Sequence, residues 1–331
     1  MIKKINYFEI IKKALVITKE NKFLWWFGFL ITLGGGMSLN YNFPSSFKSD
    51  KEFDEMAFAS MLRKVSFYWE NYKEWIIAGI AFLIFVLMVF YLLSLLGRSS
   101  LIYSVLSIIK GDRVGFKSGI KNGSSYFIGM IFLSLSVSFS FLILIGILFF
   151  PIVRLFMLEA YGAAFLMGFV AILILFSFSI FAYFMKKYAE VYLVSSLVNP
   201  ISALKLAYSL LEKNLGNTFL MGLICVGIGF VFGIGLVVIL IGIVLPTTII
   251  GFLIYKIIGE IGFIILSIFG FFFLFILILF FNSVYNVFFE SIWILFFREI
   301  AKGEDNQEKE TATDKNVLNI PERESVGINN I

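Results

Sequence analysis

The sequence predicts an all-α integral membrane protein with six transmembrane helices. Three observations predict this fold: long apolar runs without a charged residue, basic residues that alternate between the connecting segments, and amphipathic stretches that precede three of the runs. A helix needs about 20 apolar residues to cross a hydrocarbon core of about 30 Å. The predicted spans are residues 23–38, 75–97, 127–150, 160–185, 218–245 and 261–281.

The first predicted span is the shortest, with 16 residues. Trp25 and Trp26 at its start are typical of a membrane interface. A cleaved signal peptide is the alternative, with the small residues that follow Leu33 as its cleavage region. However, the 22 residues before this run are longer and more helical than the basic segment of a signal peptide. They favour a span that is retained.

The distribution of basic residues predicts the orientation of these spans. Alternate segments contain 20 of the 27 lysines and arginines, and these segments are 1–22, 98–126, 186–217 and the end from 282. Basic residues concentrate on the cytoplasmic side of membrane proteins. We therefore expect a multi-pass protein of the inner (cytoplasmic) membrane with both termini in the cytoplasm. The basic amphipathic helices would contact the anionic inner leaflet.

Three lead-in segments resemble one another. Each is an amphipathic helix that breaks near an asparagine, at Asn21, Asn122 and Asn214, before the chain enters the membrane. This predicts three tandem units of an amphipathic helix plus a transmembrane hairpin. Their limits are 1–99, 100–198 and 199–302, so the membrane domain covers 1–302 and a polar, disordered cytoplasmic tail covers 303–331. The alternative is that any six-span protein of low complexity shows such a pattern.

Residues that favour a helix end recur in these units. Pro151 and Pro246 are predicted to end the third and fifth spans. Gly111 and Gly303, each directly after a lysine, are predicted to be the C-caps of two further helices. In the fifth span, the pair Gly229 and Gly233 predicts close helix packing within the chain.

Three charged residues follow the even-numbered spans, at Arg98, Glu190 and Glu290. Charges near membrane depth tend to face the protein interior and to pair. We expect Arg98 to bridge the two glutamates and to hold the three units together as a structural ion cluster. The functional alternative is a proton or ion path through the same residues.

Composition argues against catalysis. The chain has no histidine and one cysteine, Cys225, so the commonest general base and a cysteine metal cluster are both missing. We expect no enzymatic activity, no catalytic, metal or cofactor-binding residue and no cofactor. Nucleic-acid binding is not indicated, because the basic residues are spread thinly beside the spans. A membrane-protein partner stays an open alternative to the lipid bilayer as the sole partner.

Three stretches carry a family resemblance: ALVITKENKFLWWFGFL from Ala14, GRSSLIYSV from Gly97 and ALKLAYSLLEKNLGNTFLMGL from Ala203. They resemble the six-span bacterial membrane domain that is sometimes fused to glycerophosphodiester phosphodiesterases and that has stand-alone relatives of unknown function. The resemblance covers most of residues 1–300 and implies an all-helical membrane domain. It does not extend to the phosphodiesterase activity, because the histidines of that domain are missing here.

The sequence therefore favours a non-catalytic membrane protein that serves as a scaffold or accessory in lipid or envelope processes. A transporter or channel for a small or amphiphilic solute is the alternative. A lipid-modifying enzyme is a third reading, and only Glu190 and Glu290 are candidates for its chemistry.

Overall fold

The computed structural model of the chain describes residues 5–36 and 55–318, and no β-strand occurs among them. Nine α-helices form this part of the chain, so the all-α prediction is confirmed. They are α1 (Tyr7–Glu20), α2 (Leu24–Ile31), α3 (Glu55–Lys110), α4 (Phe116–Gly123), α5 (Phe127–Met157), α6 (Tyr161–Ser195), α7 (Pro200–Lys213), α8 (Leu215–Ile258) and α9 (Glu260–Leu318).

Within residues 5–36 and 55–318, five helical segments are long and apolar enough to cross a membrane. They are Ser66–Lys110, Phe116–Met157, Tyr161–Ser195, Leu215–Ile258 and Glu260–Lys302. Each contains one of the predicted spans, except that Ala160 of the span 160–185 precedes its helix, and together they indicate a multi-pass membrane protein. The remaining predicted span corresponds to the shorter apolar helix Leu24–Gly35, which is about 18 Å long at 1.5 Å per residue. Residues 37 and 38 of that span lie outside the described residues.

Helix α3 crosses the predicted boundary between the first and second tandem units. It contains a kink at Tyr72, where φ is −130° and ψ is 16°, and it then continues without a loop through Arg98. The predicted boundary between residues 99 and 100 therefore lies inside a helix. Gly111 ends α3 with a φ of +94°, a left-handed conformation that glycine adopts without steric cost. Its predicted role as a C-cap is confirmed.

The other three predicted helix ends are wrong. Pro151 lies inside α5, Pro246 lies inside α8, and α9 continues past Gly303 to Leu318. Proline is tolerated within long apolar helices where local adjustment satisfies the freed backbone groups. After Gly303 the chain is rich in glutamate, lysine and glutamine, which favour helix, so residues 303–318 are helical where disorder is predicted. Residues 319–331 of the predicted tail lie outside the described part.

Two of the predicted asparagine breaks are confirmed. Asn21 and Asn214 immediately follow α1 and α7, and each side-chain amide donates to the carbonyl four residues earlier, at 3.0 and 3.1 Å. Each bond adds a side-chain donor to a carbonyl in the last turn of its helix, where intrahelical donors run out. Asn122 instead lies inside α4, and the chain enters α5 through the 3₁₀ turn Ser124–Tyr126.

The packed core lies at one end of the long helices. It is formed by α1, α2 and α7 together with the C-terminal part of α3, the C-terminal part of α6 and the middle of α9. Its largest fully buried side chains include Phe27, Tyr188 and Trp293. Away from this end the apolar side chains of α5, α6 and α8 are mostly exposed. Such a surface is suited to contact with lipid, which needs no polar covering.

Candidate functional site

The three charged residues singled out by the sequence lie together within this core. Arg98 on α3 donates from Nη1 to Oε1 of Glu190 on α6, at 3.0 Å. Its Nε lies 3.7 Å from Oε1 of Glu290 on α9. The C-terminal part of α3 contacts both α6 and α9, so three distant segments of the chain converge on one guanidinium group.

A fourth member of the cluster, Lys187, was missed by the sequence reasoning. Its ammonium group forms an ion pair with Glu290. It also lies 5.8 Å from the ring centroids of Tyr183 and Phe289, within reach of cation–π attraction. A signal was present, because Lys187 lies three residues before Glu190 and therefore shares its helix face. Lys186 and Lys187 belong to the basic segment 186–217, whose charges predict only the orientation of the spans.

These four residues form a compensated and buried group, which we call the charged cluster: Arg98, Lys187, Glu190 and Glu290. Only 1% of Glu190, 5% of Glu290 and 6% of Lys187 is exposed. Removing an ion from water costs several kcal/mol unless partners compensate it. Two cations and two carboxylates cancel in formal charge, so the loss of any one leaves its partner uncompensated.

A large cavity begins at the charged cluster. It has a volume of about 1240 Å³ and lies between α6, α8 and α9. Arg98, Lys187 and Glu290 line one end of it, whereas Glu190 does not contribute to its wall. The remaining wall is mostly apolar and includes Phe176, Ile180, Phe219, Leu223, Val226, Phe230, Phe232, Ile234, Leu236, Val237 and Val238.

The shape of the cavity follows from how α6 and α8 meet. Near the cluster, Phe184 of α6 packs over Gly222 of α8, where an added Cβ would lie 2.7 Å from the phenylalanine ring. The hydroxyl groups of Tyr188 and Thr218 share a hydrogen bond of 2.6 Å nearby. Helix α8 packs mainly against α9 and only weakly against α6, and the cavity lies beside this weak contact.

Gly229 and Gly233 line this cavity, so the prediction that they bring two helices close is wrong for Gly233. A Cβ at Gly233 would meet no atom within 4 Å, whereas one at Gly229 would lie 2.9 Å from the hydroxyl of Tyr285. The absence of side chains on this face of α8 therefore enlarges the cavity.

A polar stripe on α9 continues from the charged cluster along the cavity wall. Asn282, Asn286 and Glu290 are spaced four residues apart, so they share one helix face, and all three line the cavity. The amide of Asn286 donates to Oγ1 of Thr32 at 3.0 Å, which connects the stripe to the end of α2. The sequence reasoning also missed this stripe, although its spacing could have revealed it.

The site can contact a charged or polar group of a ligand at one end and an apolar group along the rest of its wall. Among residues 5–36 and 55–318, no three histidine, cysteine, aspartate or glutamate side chains are grouped to hold a metal ion. Cys225 is buried in the wall of the same cavity, and its thiol is not in a disulfide. No protein-family model matches the chain, and no curated protein or solved structure is significantly similar to it.

Proposed function

We propose that this chain is a non-catalytic multi-pass protein of the bacterial inner membrane that holds an amphiphilic molecule in the cavity between α6, α8 and α9. In this role it serves lipid or envelope processes as an accessory or scaffold. The observation that supports the proposal is one cavity with an apolar wall and a charged end. An amphiphile combines the same two properties.

The size and position of the cavity support a lipid-like ligand. Pockets for small molecules usually have volumes of about 300–1,000 Å³, and this cavity of about 1240 Å³ is larger. It lies among exposed apolar helices, so a molecule dissolved in the membrane can reach it from the side without crossing water.

The proposed topology has six spans in three tandem units, with both termini in the cytoplasm. Short helices α1, α4 and α7 each precede an apolar helix, which is the order that the tandem units 1–99, 100–198 and 199–302 require. The first two units then share α3, since that helix crosses their boundary. In this topology α2 is a short first span, and the charged cluster lies near the cytoplasmic face.

Transport of a small or amphiphilic solute is the second candidate. The polar stripe on α9 and the irregular end of α2 favour it, since Gly34 and Gly35 depart from helical geometry there. Interrupted helices beside polar groups are typical of transporter binding sites. In a deletion strain, a changed lipid pool would support the accessory role, whereas changed solute accumulation with an unchanged lipid pool would support transport.

A cavity-filling substitution tests the proposed function directly. Gly233→Phe adds a ring to the cavity wall at a position where the new Cβ meets no atom within 4 Å. We expect purified wild-type protein to retain a lipid or other amphiphile, detected by native mass spectrometry, and the variant to lose it.

Gly235→Phe is the matched control for this experiment. Gly235 is also unobstructed, lies two residues along α8 and does not line the cavity, so its variant should retain the amphiphile. The proposal fails if the wild-type protein retains no amphiphile, or if Gly233→Phe retains as much as the control.

A further inference from the structure

We infer that the occupant of the cavity is an anionic phospholipid, whose phosphate group is received by Arg98 and Lys187 while its acyl chains lie against α6 and α8. This inference rests on the proposed function, because it specifies the ligand of the same cavity. It adds the charge of the headgroup and the direction in which the lipid lies.

The charge of the cavity wall differs from that of the whole cluster. All four residues together are neutral, but Glu190 lies behind the wall and is bound by Arg98 at 3.0 Å. The charged side chains that a ligand can contact are therefore two cations and one carboxylate. An anionic headgroup complements that wall, whereas a zwitterionic headgroup brings no net charge to it.

The two cations keep the donors that a phosphate needs. A guanidinium group carries five N–H donors and an ammonium group carries three. Arg98 uses Nη1 for Glu190, and its side chain is 20% exposed, the largest fraction for a cation in the cluster. Lys187 pairs with Glu290 and has further N–H donors. Arginine and lysine side chains both bind phosphate oxygens in proteins.

The length of the apolar wall fits chains that extend away from the headgroup. Along α6 the wall runs from Lys187 back to Phe176, eleven residues or about 17 Å at 1.5 Å per residue. On α8 it continues from Phe219 to Val238, about 28 Å at the same rise. These lengths are of the order of half to nearly all of a hydrocarbon core of about 30 Å. A phospholipid of one leaflet can therefore lie parallel to the helices.

Headgroup selectivity tests the inference on the unmodified protein. Purified full-length protein is incubated with vesicles of equimolar phosphatidylglycerol and phosphatidylcholine that carry identical acyl chains, and native mass spectrometry measures the retained lipid. We expect at least about tenfold more phosphatidylglycerol. Equal retention overturns the inference and leaves the proposed function standing, whereas retention of neither lipid overturns both.

A pair of neighbouring lysines provides the matched variants. Lys187→Gln removes a cation from the cavity wall, and Lys186→Gln makes the same change beside the wall. We expect the preference for phosphatidylglycerol to fall to about parity in the first variant and to persist in the second. The opposite pattern, or the same preference in both, overturns the inference. If Lys187→Gln does not fold, the wild-type comparison decides alone.

Competition with inorganic phosphate separates a lipid site from a site for the free ion. We expect millimolar phosphate to leave bound phosphatidylglycerol in place, because the ion lacks the acyl chains that the apolar wall contacts. Complete displacement by phosphate would assign the site to the ion and would overturn the lipid inference.

Discussion

Glu190 is the most deeply buried charge of the cluster, and Arg98 is its hydrogen-bonded partner. We predict that Glu190→Gln lowers the free energy of unfolding by about 3–5 kcal/mol, because it leaves the guanidinium group without its nearest compensating charge. The measurement is reversible unfolding of the purified protein in mixed detergent micelles. A loss of less than about 1 kcal/mol would show that the pair contributes little.

The control at this scale is the exposed pair between Glu9 and Lys13, which lie one turn apart on α1 at 2.7 Å. Glu9→Gln should change the free energy of unfolding by no more than about 0.5 kcal/mol, since water screens such a pair. In a double-mutant cycle, the variant with both Arg98→Gln and Glu190→Gln should lose less free energy of unfolding than the two single variants lose together. Additive losses would contradict direct coupling between the two side chains.

At the scale of elements, the short helix α2 is held against α9 by close backbone approach. An added Cβ at Gly28 would overlap the carbonyl oxygen of Ser283, and the Ser283 hydroxyl donates to the carbonyl of Trp25. We predict that Gly28→Ala lowers the free energy of unfolding by about 1–3 kcal/mol, because α2 must move away from α9. The shift in thermal unfolding temperature of the purified protein measures this loss.

Gly146→Ala serves as its control on α5, where an added Cβ meets no atom within 4 Å. Alanine is favoured over glycine within a helix by about 0.5–1 kcal/mol, so this variant should match or exceed the stability of the wild type. Equal stability of Gly28→Ala and Gly146→Ala would show that α2 and α9 separate without cost.

The helices themselves could be predicted from the sequence because their signals are local. Charge-free runs located five long apolar helices, and the asparagines at 21 and 214 correctly marked the ends of α1 and α7. Helix breaks were less predictable. Pro151 and Gly303 are accommodated within continuous helices, because the neighbouring sequence supports helix on both sides.

The site could be predicted only in part, because only some of its residues carry a distinctive signal in the sequence. Arg98 and the two glutamates stood out as isolated charges beside apolar runs, and the structure places them in contact. Lys187 did not stand out, because its neighbour Lys186 is also basic and such basic residues are common at the cytoplasmic end of a span. The cavity could not be predicted at all, because it depends on how α6, α8 and α9 pack against one another, which no periodicity in a single helix encodes.

At the scale of the whole molecule, the proposed topology places exposed residues of different connections on opposite sides of one membrane. Glu70 in α3 and Lys117 in α4 are both exposed, and the predicted second span separates them. In a Cys225→Ala background, an impermeant thiol reagent applied to intact cells should label Glu70→Cys and leave Lys117→Cys unlabelled. Permeabilised cells, in which both react, provide the control for reactivity.

Labelling of both positions in intact cells would contradict a span between them. Reversed labelling would contradict the cytoplasmic placement of the termini and of the charged cluster. The outcome also bears on the lipid, because a cytoplasmic cluster selects phospholipids of the inner leaflet.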